Sequence, residues 1–332
     1  MVHVTKHKER LQRLYESYNR REFVHPDPLE LLYKYNDVRD REVAGLIAAS
    51  LAYGNVRQIL RSVSRVLTAM GESPYGFLIG ASEESLRETF RDFRHRFTSG
   101  KDLSTMLVGV KQACERHGSL QGCFEHGLKG SHETVIPALC AFVRELTGQA
   151  RQEPFYLLPS PERRSACKRL NLFLRWMVRN DRVDPGGWEH VSASKLIVPL
   201  DTHMHRIALR LGLTSRRQAN LQTACEITEA FRAIDPADPV KYDFCITRLG
   251  IHPDLDSECL KDLPRRCQEC GPKAGVPGDC HFPPCRVVPR HAGLPFLKMQ
   301  AGKPALQACN TWPSYPCNGD CPPESYVPDR RS

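Results

Sequence analysis

Apolar residues recur along most of this chain at the helical period of three to four, and almost no segment alternates with the period of two that a half-buried strand needs. That pattern confines the fold to helices packed on helices. Residues 41–70, REVAGLIAASLAYGNVRQILRSVSRVLTAM, predict an apolar helix, a break at Gly54-Asn55 and a second, amphipathic helix. Further helices are predicted over 102–117, capped by Asp102 or Ser104, and over 133–147, 166–179, 201–211 after a capping Asp201, 219–233 and 239–250. In 166–179 (ACKRLNLFLRWMVR), Leu170, Phe173, Leu174 and Met177 share one face.

Proline marks the end of this helical body. Of 25 prolines, 13 lie in the 69 residues from Pro264 to Ser332, where no sustained apolar period remains. The expectation is an all-α body over residues 8–260 and a Pro/Cys-rich tail over 261–332, loop-rich or disordered.

The chain has 332 residues, enough for a sizeable core. Its longest apolar run, around Ala44–Tyr53, is too short to span a bilayer, and Met1–Lys6 carries no secretory core. These features predict a cytoplasmic protein without a membrane partner. The net charge of +9 suits a polyanion such as DNA or RNA without requiring one.

Seven of the 14 cysteines lie at or after Cys267. Without a secretory signal, buried thiols or metal ligands are favoured over disulfides. His203 and His205 are two apart and point to different sides of a helix, so they do not form a metal pair. His203 is expected to support the Asp201 turn or to pack.

The most informative stretch is Val198-Pro199-Leu200-Asp201-Thr202-His203-Met204-His205-Arg206, continuing to Arg210-Leu211-Gly212. Asp201 stands where its carboxylate can accept amide hydrogen bonds from a helix's first turn, a position that also suits a purely structural cap. The stretch resembles the "V-D-T-H…R…R-L-G" signature of the helix-hairpin-helix base-excision DNA glycosylases, such as endonuclease III. Residues 43–56 resemble that superfamily's early buried helix and turn. Residues 157–172, LLPSPERRSACKRLNL, resemble its "L-P-G-V-G-R-K-T-A" hairpin, and 239–250 its last barrel helix. The similarity covers roughly 30–255. The Lys168-to-Asp201 gap of 33 residues exceeds that of endonuclease III and resembles the archaeal 8-oxoguanine glycosylases. The layout also resembles an uncharacterised bacterial family.

The resemblance implies a helical glycosylase-like fold with a degenerate hairpin, since Arg164 and Ala166 stand where glycines are usual. It implies a monomer acting on damaged duplex DNA, with RNA as the other candidate. Asp201 is then the catalytic carboxylate, stabilising positive charge at the sugar C1′. Lys168 is the nucleophile that forms a Schiff base. The amine must be neutral to attack, and Arg164 and Arg169 are near enough in sequence to crowd it. Arg163, Arg164 and Arg169 are expected at phosphates, and Trp188, after Pro185-Gly186-Gly187, at a flipped base. Trp176 and Phe173 are further candidates for that base, although in a dense amphipathic helix core packing is the more common role.

Cys259, Cys267, Cys270 and Cys280 are similar in order to the iron–sulfur loop of endonuclease III relatives, and Cys267, Cys270, Cys280 and Cys285 would equally suit zinc. The irregular Cys309, Cys317 and Cys321 favour a tail without metal, so no cofactor is expected. Two other functions stay open: a non-catalytic DNA- or RNA-binding protein on the same scaffold, and a small-molecule or nucleoside enzyme with a closed pocket.

Overall fold

The computed structural model describes residues 8–148 and 155–251, with the side chains of 249–251 outside the description. The chain divides into two units, Met1–Pro272 and Lys273–Ser332, and every described residue belongs to the first. The helices are α1 (Lys8–Tyr18), α2 (Val38–Ser50), α3 (Val56–Met70), α4 (Pro74–Gly80), α5 (Glu83–Thr89), α6 (Gly100–His117), α7 (Leu120–His126), α8 (Ile136–Thr147), α9 (Lys168–Val178), α10 (Thr202–Leu211), α11 (Leu221–Arg232) and α12 (Asp243–Ile251). A two-stranded antiparallel hairpin, β1 (Arg94–His95) and β2 (Thr98–Ser99), precedes α6. The expected all-α class holds, and among the described residues no helix is long and apolar enough to cross a membrane. Cys259 and the later cysteines lie outside the described residues, as does the expected boundary at 260.

Side-chain caps set most helix starts. Asp37, Asn55, Ser73, Ser82, Ser119, Asp201 and Asn220 each accept an amide hydrogen bond from the first turn that follows. Helix α6 begins earlier than expected. Ser99 is its cap, and Asp102, expected as a cap, is the partner that returns the bond to the Ser99 amide.

Helix α2 is the centre of the core. Every residue from Glu42 to Ser50 is buried, as befits a helix apolar on all sides. Gly45 admits α9: a Cβ there would stand 3.2 Å from Leu32 and 3.4 Å from Phe173. The cost of about 1 kcal/mol for glycine inside a helix is offset by this approach.

Glu42 is the exception in an apolar helix, and it organises three elements. Its carboxylate accepts from the amides of Leu120 (2.6 Å) and Gln121 (3.0 Å), the otherwise unpaired start of α7. It also accepts from Trp188 Nε1 at 3.0 Å. Burial raises its pKa from the ordinary 4.5 to about 7, against the lowering effect of those three bonds.

A second buried polar cluster ties α9 to the loop after it and to α12. Arg175 pairs with Asp184 (3.1 Å) and with Asp243. Arg179 pairs with Asp184, with Asp181 (2.8 Å) and with Asp238 (2.8 Å). Arg175, Arg179 and Asp184 are all under 5% exposed. Removing one member strands buried charge, which costs about 3–5 kcal/mol.

Two outcomes follow from these clusters. Asp184→Ala is expected to lower unfolding free energy by about 3–5 kcal/mol in urea titrations. Glu42 binds its proton more tightly folded than unfolded, so its contribution is complete below pH 4.5 and is lost as pH rises through about 7. Between those limits the wild type should lose on the order of 2–3 kcal/mol relative to Glu42→Gln, measured as the difference between the two proteins' urea stabilities at each pH.

Candidate active site

The segment before α9 is a succession of tight turns. Ser160 caps a single 3-10 turn over Pro161–Arg163, and Arg164 ends it in the left-handed conformation (φ 59°). Cys167 is also left-handed (φ 46°), and Lys168 follows it as the first residue of α9. These are conformations that glycine adopts without strain. The second falls on Cys167, one residue beyond the expected Ala166. Tertiary bonds hold the turns in place of glycine. The Leu221 amide donates to the Arg164 carbonyl at 3.1 Å. Asn171 Nδ2 donates to the Ala166 carbonyl at 3.0 Å, and Cys167 Sγ to that of Pro159 at 3.2 Å.

Asp201 arrives from the other side. Ile197, Val198 and Leu200 are buried, and the Val198 amide donates to Thr228 Oγ1 at 3.0 Å, so the approach to α10 is fixed. Asp201 Oδ1 accepts from the Met204 amide at 2.8 Å. Its Oδ2 lies 3.2 Å from Lys168 Nζ. The structure thus brings together the two residues that the sequence placed 33 positions apart. Both line a cleft of about 1630 Å³, with Arg57, Tyr53, Tyr156, Arg163, Arg164, Trp176, His203 and Asp243 also on its walls.

The other expected site residues divide. Arg163 and Arg164 are exposed on the cleft wall. Arg169 is not at the surface: it is 9% exposed, and its guanidinium donates to the carbonyls of Ser50 (2.6 Å) and Tyr156. Its five donors and planar fork suit this role of tying these turns to the end of α2. Trp188 is a correction. It is 1% exposed, packed on Phe124 and Phe173 and bonded to Glu42, so it cannot receive a base. Trp176 and Phe173 are buried, in keeping with core packing. His203 is half-buried on the cleft wall, and His205 Nε2 meets the Arg216 carbonyl at 2.8 Å. Among the described residues no group of three or more His, Cys, Asp or Glu is placed to hold a metal.

Three cleft residues escaped the sequence. Tyr53 sits in the turn after α2, Tyr156 in the turn ahead of Pro161–Arg163, and Asp243 at the start of α12. Burial raises the Asp243 carboxyl to about 6, opposed by Arg175, and its Oδ1 has no protein partner. Tyr53 and Asp243 lie in the segments 43–56 and 239–250 but nothing local singles them out there, and only the three-dimensional fold assembles the three.

Because Arg164 carries a side chain in a left-handed turn at a cost of about 1–2 kcal/mol, Arg164→Gly should gain about 0.5–1 kcal/mol after the added flexibility of unfolded glycine is counted. Thermal unfolding would detect it, and a loss of stability would show that the Arg164 side chain has a structural role.

Comparison with known proteins adds a family. A family model described as "Protein of unknown function (DUF2400)" matches residues 27–252, a span that includes Lys168, Asp201 and all of the lining of their cleft except His25 and Pro26. No curated protein and no solved structure matches. With more than half of its length matched, the chain belongs to the DUF2400 family.

Proposed function

We propose that this protein is a DNA glycosylase that cleaves the N-glycosidic bond of a damaged base, with Schiff-base lyase activity. The observation that carries the reading is Lys168 Nζ at 3.2 Å from Asp201 Oδ2 inside a large cleft. Stability does not account for the pair. The Lys168 and Asp201 side chains are 35% and 20% exposed, and ion pairs so open to water contribute about 0–1 kcal/mol.

The chemistry needs both groups. Asp201 Oδ2 is placed to take a proton from the Lys168 ammonium, which frees the nitrogen lone pair. That pair attacks C1′ as the glycosidic C–N bond breaks, and the base departs with the bonding electrons and takes the proton held on Asp201. The carboxylate, ionised again, stabilises the positive charge left at C1′ and its new nitrogen. It then accepts an N–H proton from the new secondary ammonium, whose lone pair forms the C1′=N bond of the Schiff base as the C1′–O4′ bond breaks and O4′ takes that proton. Exposed Arg163 and Arg164 beside the pair supply positive charge for the flanking phosphates.

Borohydride trapping tests this directly. Purified protein is mixed with oligonucleotides carrying 8-oxoguanine, thymine glycol, uracil or an abasic site, and then reduced. A covalent adduct is expected with at least one lesion and is expected to vanish in Lys168→Gln. Asp201→Asn should slow adduct formation by about 100-fold or more. Lys168→Gln should keep its stability within about 1 kcal/mol, so that loss of adduct is not loss of fold. No adduct with any lesion would overturn the catalytic reading.

A further inference from the structure

Among the described residues, three large hydrophobic side chains are exposed: Phe97 (75%), Tyr156 (52%) and Leu209 (39%). The two most exposed touch each other, with ring centroids 6.4 Å apart and edge to face. Two uncovered aromatic rings in contact leave adjoining apolar area open to water.

The arrangement is built. Phe97 is at the tip of the β1–β2 hairpin. Tyr53 fixes that hairpin, because its hydroxyl meets the His95 carbonyl at 2.9 Å and Thr98 Oγ1 at 2.6 Å. Tyr53 also stands edge-on to Tyr156, with centroids 5.2 Å apart. The buried Arg169 guanidinium lies against both rings, 4.6 Å from Tyr156 and 5.2 Å from Tyr53, which holds them rigid from beneath. A line of aromatic rings therefore runs from the exposed tip to the wall of the cleft that contains Lys168 and Asp201. Arg94 and Arg96 are exposed on the hairpin, Arg57 on the cleft wall, and the Arg96 guanidinium sits 5.4 Å from the Phe97 ring.

We infer that Phe97 and Tyr156 form a platform for an unpaired nucleobase, which stacks on the face of one ring with its edge against the other, so that the strand entering the cleft is one whose bases are already unstacked, as in a single strand or at a mismatch. A nucleic-acid strand offers flat π-faces and negative phosphates, and this surface offers exposed rings with an exposed arginine, Arg96, against Phe97. A base still paired in a duplex shows only its edges and cannot lie on these rings. The inference rests on the nucleic-acid reading of the same cleft and names the form of its substrate.

The test measures affinity by fluorescence anisotropy for a labelled single strand, a duplex with one mismatch, the fully paired duplex, and heparin, which has charge but no bases. Phe97→Ala lies at an exposed tip and should fold normally. It is expected to weaken single-strand and mismatch binding by about 5- to 150-fold and to leave heparin and paired duplex unchanged. Phe97→Trp should restore affinity, and single-strand binding should quench its fluorescence beyond any change seen in wild type. If Phe97→Ala binds single strands as well as wild type, the platform is overturned, and adduct formation by Lys168 can still stand. An equal loss for paired duplex or heparin also overturns it. If Phe97→Ala behaves as expected while no lesion gives an adduct, the platform stands and the catalytic reading falls. If wild type binds no oligonucleotide, both fall.

Discussion

The buried cluster of Arg175 and Arg179 with Asp184 and Asp243 is the constraint on which the site depends. Both arginines are on α9 or at its end, and the carboxylates come from the following loop and from α12. Charges this deep are expensive to desolvate, so each group is tolerable only while its partners stay in place. The cluster therefore acts less as a source of stability than as a statement of register. With Arg175 fixed, α9 can neither rotate nor slide, and Lys168 two turns earlier is fixed with it. The same cluster places Asp243 on the cleft wall, so scaffold and site share one carboxylate.

The sequence was most legible where the physics is local. Helical periodicity marked the all-α class, and Asp201 was readable as a cap because capping depends on a residue and the turn after it. Lys168 was legible through motif order, since the hairpin and the capped helix follow one another with recognisable residues. Trp188 was misplaced for a nonlocal reason. Pro185-Gly186-Gly187 reads as an exposed loop, but the arginine–aspartate cluster folds that loop inward and Glu42, 146 residues away, offers the indole a partner. Arg169 was misplaced in the same way, because the carbonyls that bury its guanidinium come from Ser50 and Tyr156. The β1–β2 hairpin escaped because two-residue strands are too short to show alternation.

The segment before α9 takes left-handed turns at residues that carry side chains. Glycine would make the left-handed turns at Arg164 and Cys167 without local strain. Here the shape is set by bonds from outside the turn, one from α11 and one from Asn171 on α9. With side chains occupying the turn, its backbone amides are less open to close approach than glycine would leave them.

Cys167 gives this arrangement a chemical clock. Its thiol is 2% exposed and donates to the Pro159 carbonyl, and burial pushes its pKa to about 11. In the closed turn it is neither accessible nor nucleophilic, so an alkylating reagent reaches it only when the turn comes apart. It is also the immediate neighbour of Lys168. The rate at which this one thiol is labelled therefore reports how often the turn opens beside the lysine, and a ligand that closes around the lysine slows that clock.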